Sequence, residues 1–484
     1  MTKEERIAHL LRRLGLGASY AEMEYYSKLG EDGTVERLIE YENVPEGFDV
    51  SPARFAQENQ QGVELLRMPA VVGWWTLRML STQRPLQEKL TLFWHDHFAV
   101  SASKVNQPLM MLDYLNTLRA GASGKFRSLL LSMSRDPAMI RWLDNETNVK
   151  GKPNENFARE IMELFTLGIG NYSEADVQEA ARAFTGWAFA PNVNRREAVR
   201  LGKRPQELIL EGVKQGKAAY TFQFRPGQHD TGVKKILENE GPFGGEDVCD
   251  FLAVHPKTAQ NITKKLWEWF CYMEPDQKIV DKLSKVFLDN GTAIKPVLYA
   301  IVKSDEFWSD KCVNRQIKNP VDFTLTVFRQ LGLGPISLTA LQNAPNERAA
   351  LAAARGADQM MERQGMKLLF PPDVDGWQWG AGWVSSATMV ERIKVADGLF
   401  KTPANRHTLA ISAIGTKPAA TSRQVVDALL SVVNAKLPEE KISALVAACE
   451  EAGGAAAARD PRRAGNVAHA VYRVLFASPE FQFC

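Results

Sequence analysis

Apolar side chains recur at helical spacing through most of this chain. Ile7, Leu10, Leu11 and Leu14 form one stripe, and Leu80, Leu86, Leu90, Phe93 and Trp94 another; this is the pattern of helices that bury one face. Alternating runs that would mark strands are scarce. The best, Tyr220-Thr-Phe-Gln-Phe-Arg225, is short and closes at Pro226-Gly227, which predicts a small hairpin inserted into a helical body. The expected fold is therefore all-α, a large multi-helical body with a small β-hairpin insertion.

Interruptions of the helical period suggest where that body divides. Ala190–Gln228 mixes Pro191, Asn192, Asn194, a basic run and Pro205 without sustained periodicity, and reads as a long excursion or lid between helices. A second break falls at Gly332–Asn346, and the Ala/Gly-rich tract Ala447–Gly465 reads as a loosely packed surface stretch. The expected regions are 1–189, carrying a polar helix, 190–330, carrying the insertion and central helices, and 331–484, carrying C-terminal helices and a Trp/Gly-rich loop. Leu298–Trp308 and Val471–Phe481 echo each other, each reading as a helix that ends at a serine and restarts at an acidic turn.

Bulk composition narrows the class further. A chain of 484 residues exceeds what one core usually spans, and 45% hydrophobic with 24% charged residues is ordinary globular composition. Lys and Arg number 59 against 57 Asp and Glu, a net charge of +2, so no nucleic-acid partner is expected. The basic segments Arg195–Arg204 and Lys257–Lys265 are interrupted by other residue types and read as solvated faces. Five cysteines without C-x-x-C spacing describe neither a zinc ribbon nor a disulfide framework. No apolar leader follows Met1, and the most apolar early run, Pro69–Leu80, is broken by Arg78. A soluble, cytoplasmic protein without a membrane span is expected, with export open if a leader has been removed.

The strongest local signal is Pro153-Asn-Glu-Asn-Phe-Ala-Arg-Glu-Ile-Met-Glu-Leu-Phe-Thr-Leu-Gly168, which predicts one helix of about three turns ending at a glycine. Asn156, Glu160 and Glu163 fall on one stripe with Arg159 beside it, next to an apolar face of Phe157, Ile161, Leu164 and Phe165. Carboxylates at the margin of a buried face must pair, bind a metal or act on a substrate. An ion-pair lattice through Arg159 to Glu155, Glu160 or Glu163 is the structural alternative to a site.

Further candidates lie elsewhere. In Leu92-Phe-Trp-His-Asp-His-Phe-Ala99 the two histidines point to different sides of a helix, so they cannot chelate one ion together. His97 shares the face of Leu90, Phe93 and Trp94 and is expected half-buried, with His95 nearer Glu88 and solvent. His229-Asp230 follows the predicted strand on a loop, in the pairing of a general base or metal ligand with its orienting carboxylate. His97, Glu160, Glu163 and His229, if they met, would suit iron, manganese or zinc. The loop Phe370–Trp383 holds three tryptophans, two aspartates and three glycines; it suits saccharide binding or, more commonly, a structural lock. The P-loop, zincin, nucleophile-elbow and dinucleotide-binding patterns are absent.

Taken together, His9-Leu-Leu-Arg-Arg-Leu-Gly-Leu-Gly17, Leu92-Phe-Trp-His-Asp-His-Phe98, Asn154-Glu-Asn-Phe-Ala-Arg-Glu160, Ala183-Phe-Thr-Gly-Trp187 and His229-Asp230, followed by Leu266-Trp and Pro371-Pro-Asp-Val-Asp-Gly-Trp377, resemble in content and order the bacterial family called domain of unknown function 1800. The resemblance runs nearly end to end. It implies no established reaction, and it points to His97, Asn154, Glu155, Asn156, Arg159, Glu160, Glu163, His229 and Asp230 as the family's polar motif positions. The expected function is an enzyme acting on a small molecule or saccharide. Its catalytic groups would come from Asn156, Arg159, Glu160, Glu163, His229 and Asp230, with His97 completing a metal-dependent hydrolase or oxidoreductase site. A non-catalytic binding or assembly protein, with the same residues in a buried ion-pair network, is the alternative.

Overall fold

The computed structural model describes residues 1–343, 351–400 and 419–484. Helices dominate it, and its β structure is confined to three two-stranded antiparallel ribbons, as the hydrophobic period predicts. One continuous hydrophobic cluster runs from Ile7 to Phe481, so the first and last helices share a core. No described helix is long and apolar enough to cross a membrane.

The ribbon differs in construction from the expected hairpin. Tyr220–Phe224 pairs with Trp187–Pro191, placing Phe222 opposite Phe189 and Phe224 opposite Trp187. The excursion between them carries two short helices, Arg195–Leu201 and Pro205–Lys214. Its partner strand thus precedes the excursion, a pairing that local turn signals do not reveal. The Asp113 carboxylate fixes the returning strand by accepting from the N–H groups of Ala219 and Tyr220 at 2.8 and 3.1 Å.

Two other readings are revised. Within the break at Gly332–Asn346, Leu333–Asn343 is a helix; residues 344–346 lie outside the described residues. The Ala/Gly-rich tract includes the helix Gly454–Arg459, whose Ala457 and Ala458 are buried, because small side chains let helices approach closely. The internal echo is realised as expected. Helices Ile294–Val302 and Ala464–Ala477 are followed by 3₁₀ turns at Asp305–Trp308 and Pro479–Gln482. Ser304 and Ser478 each donate back to the carbonyl three residues earlier, at 2.7 Å.

At the centre lies the helix Pro85–His97, in which every residue except Gln87 is buried. A helix buried on all sides that still carries Glu88, Lys89, His95, Asp96 and His97 must satisfy each of them internally. Glu88 accepts from Arg78 Nε at 2.7 Å, Arg119 Nε at 2.6 Å and Trp75 Nε1 at 2.9 Å. Lys89 donates to Asp322 Oδ1 and to the Arg12 carbonyl, both at 3.0 Å. The last turn of this helix faces the candidate site.

Candidate functional site

His95, expected near solvent, is fully buried, since the whole helix is enclosed and has no solvent face. Its Nε2 accepts from the backbone N–H of Leu369 at 3.2 Å. Nδ1 therefore carries the proton and donates to Tyr114 Oη at 2.8 Å, and Tyr114 donates onward to the Phe98 carbonyl at 2.9 Å. Burial pushes the imidazole down to about 3, so it stays neutral. His95 is a fastener between its helix and the chain leading into the tryptophan loop.

Asp96 holds that loop more directly. Its Oδ1 accepts from the Trp377 N–H at 2.8 Å and its Oδ2 from the Trp379 indole. Gly376 makes this approach feasible. Its φ is +85°, and a Cβ there would lie 2.5 Å from the Asp96 carbonyl oxygen and 2.6 Å from Oδ1. Burial pushes the Asp96 carboxyl up to about 7, opposed by the hydrogen bonds from Trp377 and Trp379 and by the charge of Lys265. Trp377 and Trp383 are buried, and the space beside Asp96, lined by Trp269, Trp377 and Trp379 among others, is about 20 Å³. That volume admits a water-sized group. The loop thus has the packing of a lock, and its indoles do not form an open sugar platform.

The polar-motif helix ends at Gly168 as expected but changes form part-way along. Asn156–Met162 is α-helical and Glu163–Leu167 continues as a π-turn ending at Gly168, φ +81°. Helix C-termini leave carbonyls without intrahelical partners, and here three successive ones receive side-chain donors. Lys265 Nζ donates to the Leu164 carbonyl at 3.4 Å, His97 Nε2 to Phe165 at 3.1 Å and Asn261 Nδ2 to Thr166 at 2.8 Å. The second contact of Lys265 Nζ, at 3.4 Å, is His97 Nδ1, which fixes the His97 tautomer with its proton on Nε2. Burial, reinforced by the charge of Lys265, holds the His97 imidazole well below its ordinary range.

Lys265 is the least satisfied of these groups. It comes from the helix Pro256–Phe270 and is half-buried. Both of its hydrogen bonds are long, and no carboxylate among the described residues forms an ion pair with it. Burial lowers the amine from its ordinary value, while Asp375, Asp96 and Glu268 pull it back up. Glu160, also half-buried, is raised by burial and then by the neighbouring charges of Glu163 and Asp375, with Arg159 opposing. Glu160, Glu163, Asp375, Asp96 and Lys265 thus form one electrostatic neighbourhood, open to solvent at the exposed Asp375. Within it Glu160 and Asp96 shift up and Lys265 shifts down, a pattern that acid–base sites share.

The other expected site residues lie apart from this exchange. Arg159 pairs with Glu174 through two bonds of 2.7 and 2.8 Å, and with Glu155 at 3.3 Å; these hydrogen bonds raise its guanidinium above the ordinary value. It is engaged outward and does not bond Glu160 or Glu163. Asn156 is exposed and donates to the Leu143 carbonyl at 3.3 Å, serving the entry to the helix. Asn154, just before it, donates to Thr147 Oγ1 at 3.1 Å. His229 is tied by Nδ1 to the Thr185 carbonyl at 2.9 Å. Asp230 receives Arg182 at 2.9 and 3.2 Å, which drops its carboxyl to about 2.

The expected metal set of His97, Glu160, Glu163 and His229 is not assembled. Among the described residues no group of three or more His, Cys, Asp or Glu side chains is placed to hold a metal ion. The physical reason is that both ring nitrogens of His97 already have partners, and His229 is held on the Thr185 corner.

Sequence reading missed Asp96, Lys265 and the role of Asp375. A signal for Lys265 was present. It falls three residues after Ile262 and four before Trp269, both buried, so it sits on the apolar stripe and not on the solvated face assigned to Lys257–Lys265. Asp96 lay between two histidines that drew the chemical argument, and its partners are some 280 residues away.

A multi-helical body in which the His95-Asp96-His97 turn clamps both a π-turn and a tryptophan loop is the class of protein defined here. Residues 9–483 match the family described as Protein of unknown function (DUF1800), so the chain belongs to that family. Neither the curated proteins nor the solved structures contain a match to it.

Proposed function

We propose that this protein is a hydrolase that works by general acid–base catalysis, with Glu160 as the acid. The observation that carries this reading is the opposed perturbation of Glu160 and Lys265, one raised and one lowered, in a cluster where Lys265 has no ion-pair partner among the described residues. Protonated Glu160 would donate to the leaving group. The Lys265 ammonium would stabilise negative charge developing on the attacked centre, and exposed Asp375 would take the proton of the incoming water. Asp96 and His97 are positioning residues in this scheme, since they hold the loop of Asp375 and the amine of Lys265. The substrate is a small polar molecule entering from the Asp375 side.

The test is turnover of a panel of chromogenic esters, amides and glycosides by the wild type, Glu160→Gln and Lys265→Met. General acid catalysis typically contributes about 100-fold or more, so both variants should lose at least that factor, with melting temperature held within about 2 °C. Variants as active as the wild type would overturn the reading. So would an inactive wild type whose Glu160→Gln variant melts markedly lower.

One observation favours the competing binding or assembly role. Arg159 is already paired with Glu155 and Glu174, and every polar atom of His95, Asp96 and His97 that faces the motif has an internal partner. In that reading the motif is structural, and its variants change stability alone.

A further inference from the structure

A second cavity, sharing no residue with the Glu160–Lys265 cluster, opens where the helices Lys3–Arg13 and Pro320–Gln330 meet the segments 430–437 and 479–483. Its volume is about 680 Å³, within the range of small-molecule sites. Buried polar groups are nearly always hydrogen-bonded, yet this cavity gathers several that are not. Arg12 lines it without a side-chain hydrogen bond or ion pair to any described residue, and its Nε is shut off from solvent. Gln330 Oε1 and Glu480 Oε2, both belonging to lining residues, are likewise shielded and unpartnered. Lys318, buried in the same wall, donates to the Phe481 carbonyl at 2.8 Å, with its amine 3.9 Å from the Phe481 ring centre.

The signs matter. Burial holds Arg12 down to about 10, with the charge of Arg13 adding to it, and holds Lys318 down to about 7, with the charges of Arg12 and Arg392 adding to it. Glu480 makes no ion pair with either, although all three line the same space. Unpaired donors and acceptors of opposite charge held apart in one cavity call for a ligand that carries both charges. The rest of the lining mixes apolar Met23, Leu430, Val433 and Phe483 with the charged Glu4, Glu5, Arg315 and Lys436.

We propose that this cavity binds a short apolar peptide with free termini, its carboxylate on Arg12 and Lys318 and its ammonium on Glu480 and Gln330. A guanidinium fork suits a carboxylate bidentately, and the apolar part of the lining suits aliphatic side chains. The assignment does not depend on the hydrolase reading.

The experiment is isothermal titration calorimetry of the intact protein with Leu-Leu-Leu, its C-terminal amide, its N-acetyl derivative and decanoate. One-to-one binding of the free peptide is expected, weakened at least tenfold by amidation or by acetylation, with decanoate weaker than the peptide. In Arg12→Gln the amidation penalty should shrink markedly, with Lys318 left as the carboxylate's one cationic partner. In Glu480→Gln, at a half-exposed position, the acetylation penalty should shrink instead. The proposal is overturned by absence of peptide binding, by equal affinity for the free and blocked peptides, or by decanoate binding as tightly as the peptide.

Discussion

Glu88 and Asp96 stand two turns apart on the same enclosed helix, and their surroundings treat them oppositely. Glu88 is buried completely, which alone would raise its carboxyl, but the charges and hydrogen bonds of Arg119 and Arg78 outweigh burial and hold it below the ordinary value. Asp96 is nearly as buried and receives neutral N–H donors from Trp377 and Trp379, so burial wins and the carboxyl rises to about 7. The lesson is that burial does not determine charge; the kind of donor does. Two guanidinium groups make Glu88 a fixed anion of the core, whereas backbone and indole donors leave Asp96 able to titrate beside Lys265.

The largest effect should come from breaking the fixed side of this comparison. Glu88→Gln leaves the Arg78 and Arg119 guanidinium groups facing a neutral amide in the core. Removing one partner of a buried ion pair costs about 3–5 kcal/mol, so chemical denaturation should show a loss of that order.

Gly376→Ala tests the loop that covers Asp96. The added methyl collides with Asp96 and occupies a left-handed backbone conformation, for which a loss of about 1–3 kcal/mol is expected. Tryptophan emission should shift to longer wavelength as Trp377 and Trp379 detach.

Asp96→Asn sharpens the contrast through pH. Because the folded Asp96 carboxyl is raised, its stabilising contribution is complete below the unfolded value near 4 and is lost as pH rises through about 7. The wild type should therefore lose stability over that window relative to Asp96→Asn, a difference read from paired melting curves. Glu88, with its lowered carboxyl, contributes in the opposite sense, losing stabilisation only as pH falls through its folded value.

The smallest effect belongs to Arg159. Its side chain is 31% exposed and that of Glu174 70%, so Arg159→Gln should cost less than about 1 kcal/mol and less still at high salt. A larger loss would favour the structural role of the motif.

The helical class of the molecule was legible because most helices bury one face and therefore show the 3.6-residue period. The same logic failed at Pro85–His97. A helix without a polar face gives periodicity nothing to report, and His95 was placed toward solvent for that reason. Lys265 was hidden in a basic-looking segment although its spacing from Ile262 and Trp269 marked the inner stripe. Glu160 and Glu163 were recognised from local spacing. Their neighbour Asp375 arrives from a loop more than 200 residues later, and local pattern holds no information about that meeting. Arg159 illustrates the reverse case, since of the partners that spacing offered, Glu155, Glu160 and Glu163, Glu155 alone pairs with it, and its shorter bonds go to Glu174, which spacing along one helix did not suggest.

The π-turn at Glu163–Leu167 has an evolutionary corollary. A π-turn is one residue longer than the α-turn it replaces, so it shifts the helical phase by about 100°. Upstream of that shift, Glu160 belongs to the neighbourhood of Asp375; within it, the carbonyls of Leu164, Phe165 and Thr166 turn to Lys265, His97 and Asn261. The two sets of contacts are therefore coupled by segment length and not by side-chain identity. Deleting a single codon in this stretch would keep every polar residue of the motif and still uncouple the acid from the lysine, which makes length conservation here as informative a marker of the site as the residues themselves.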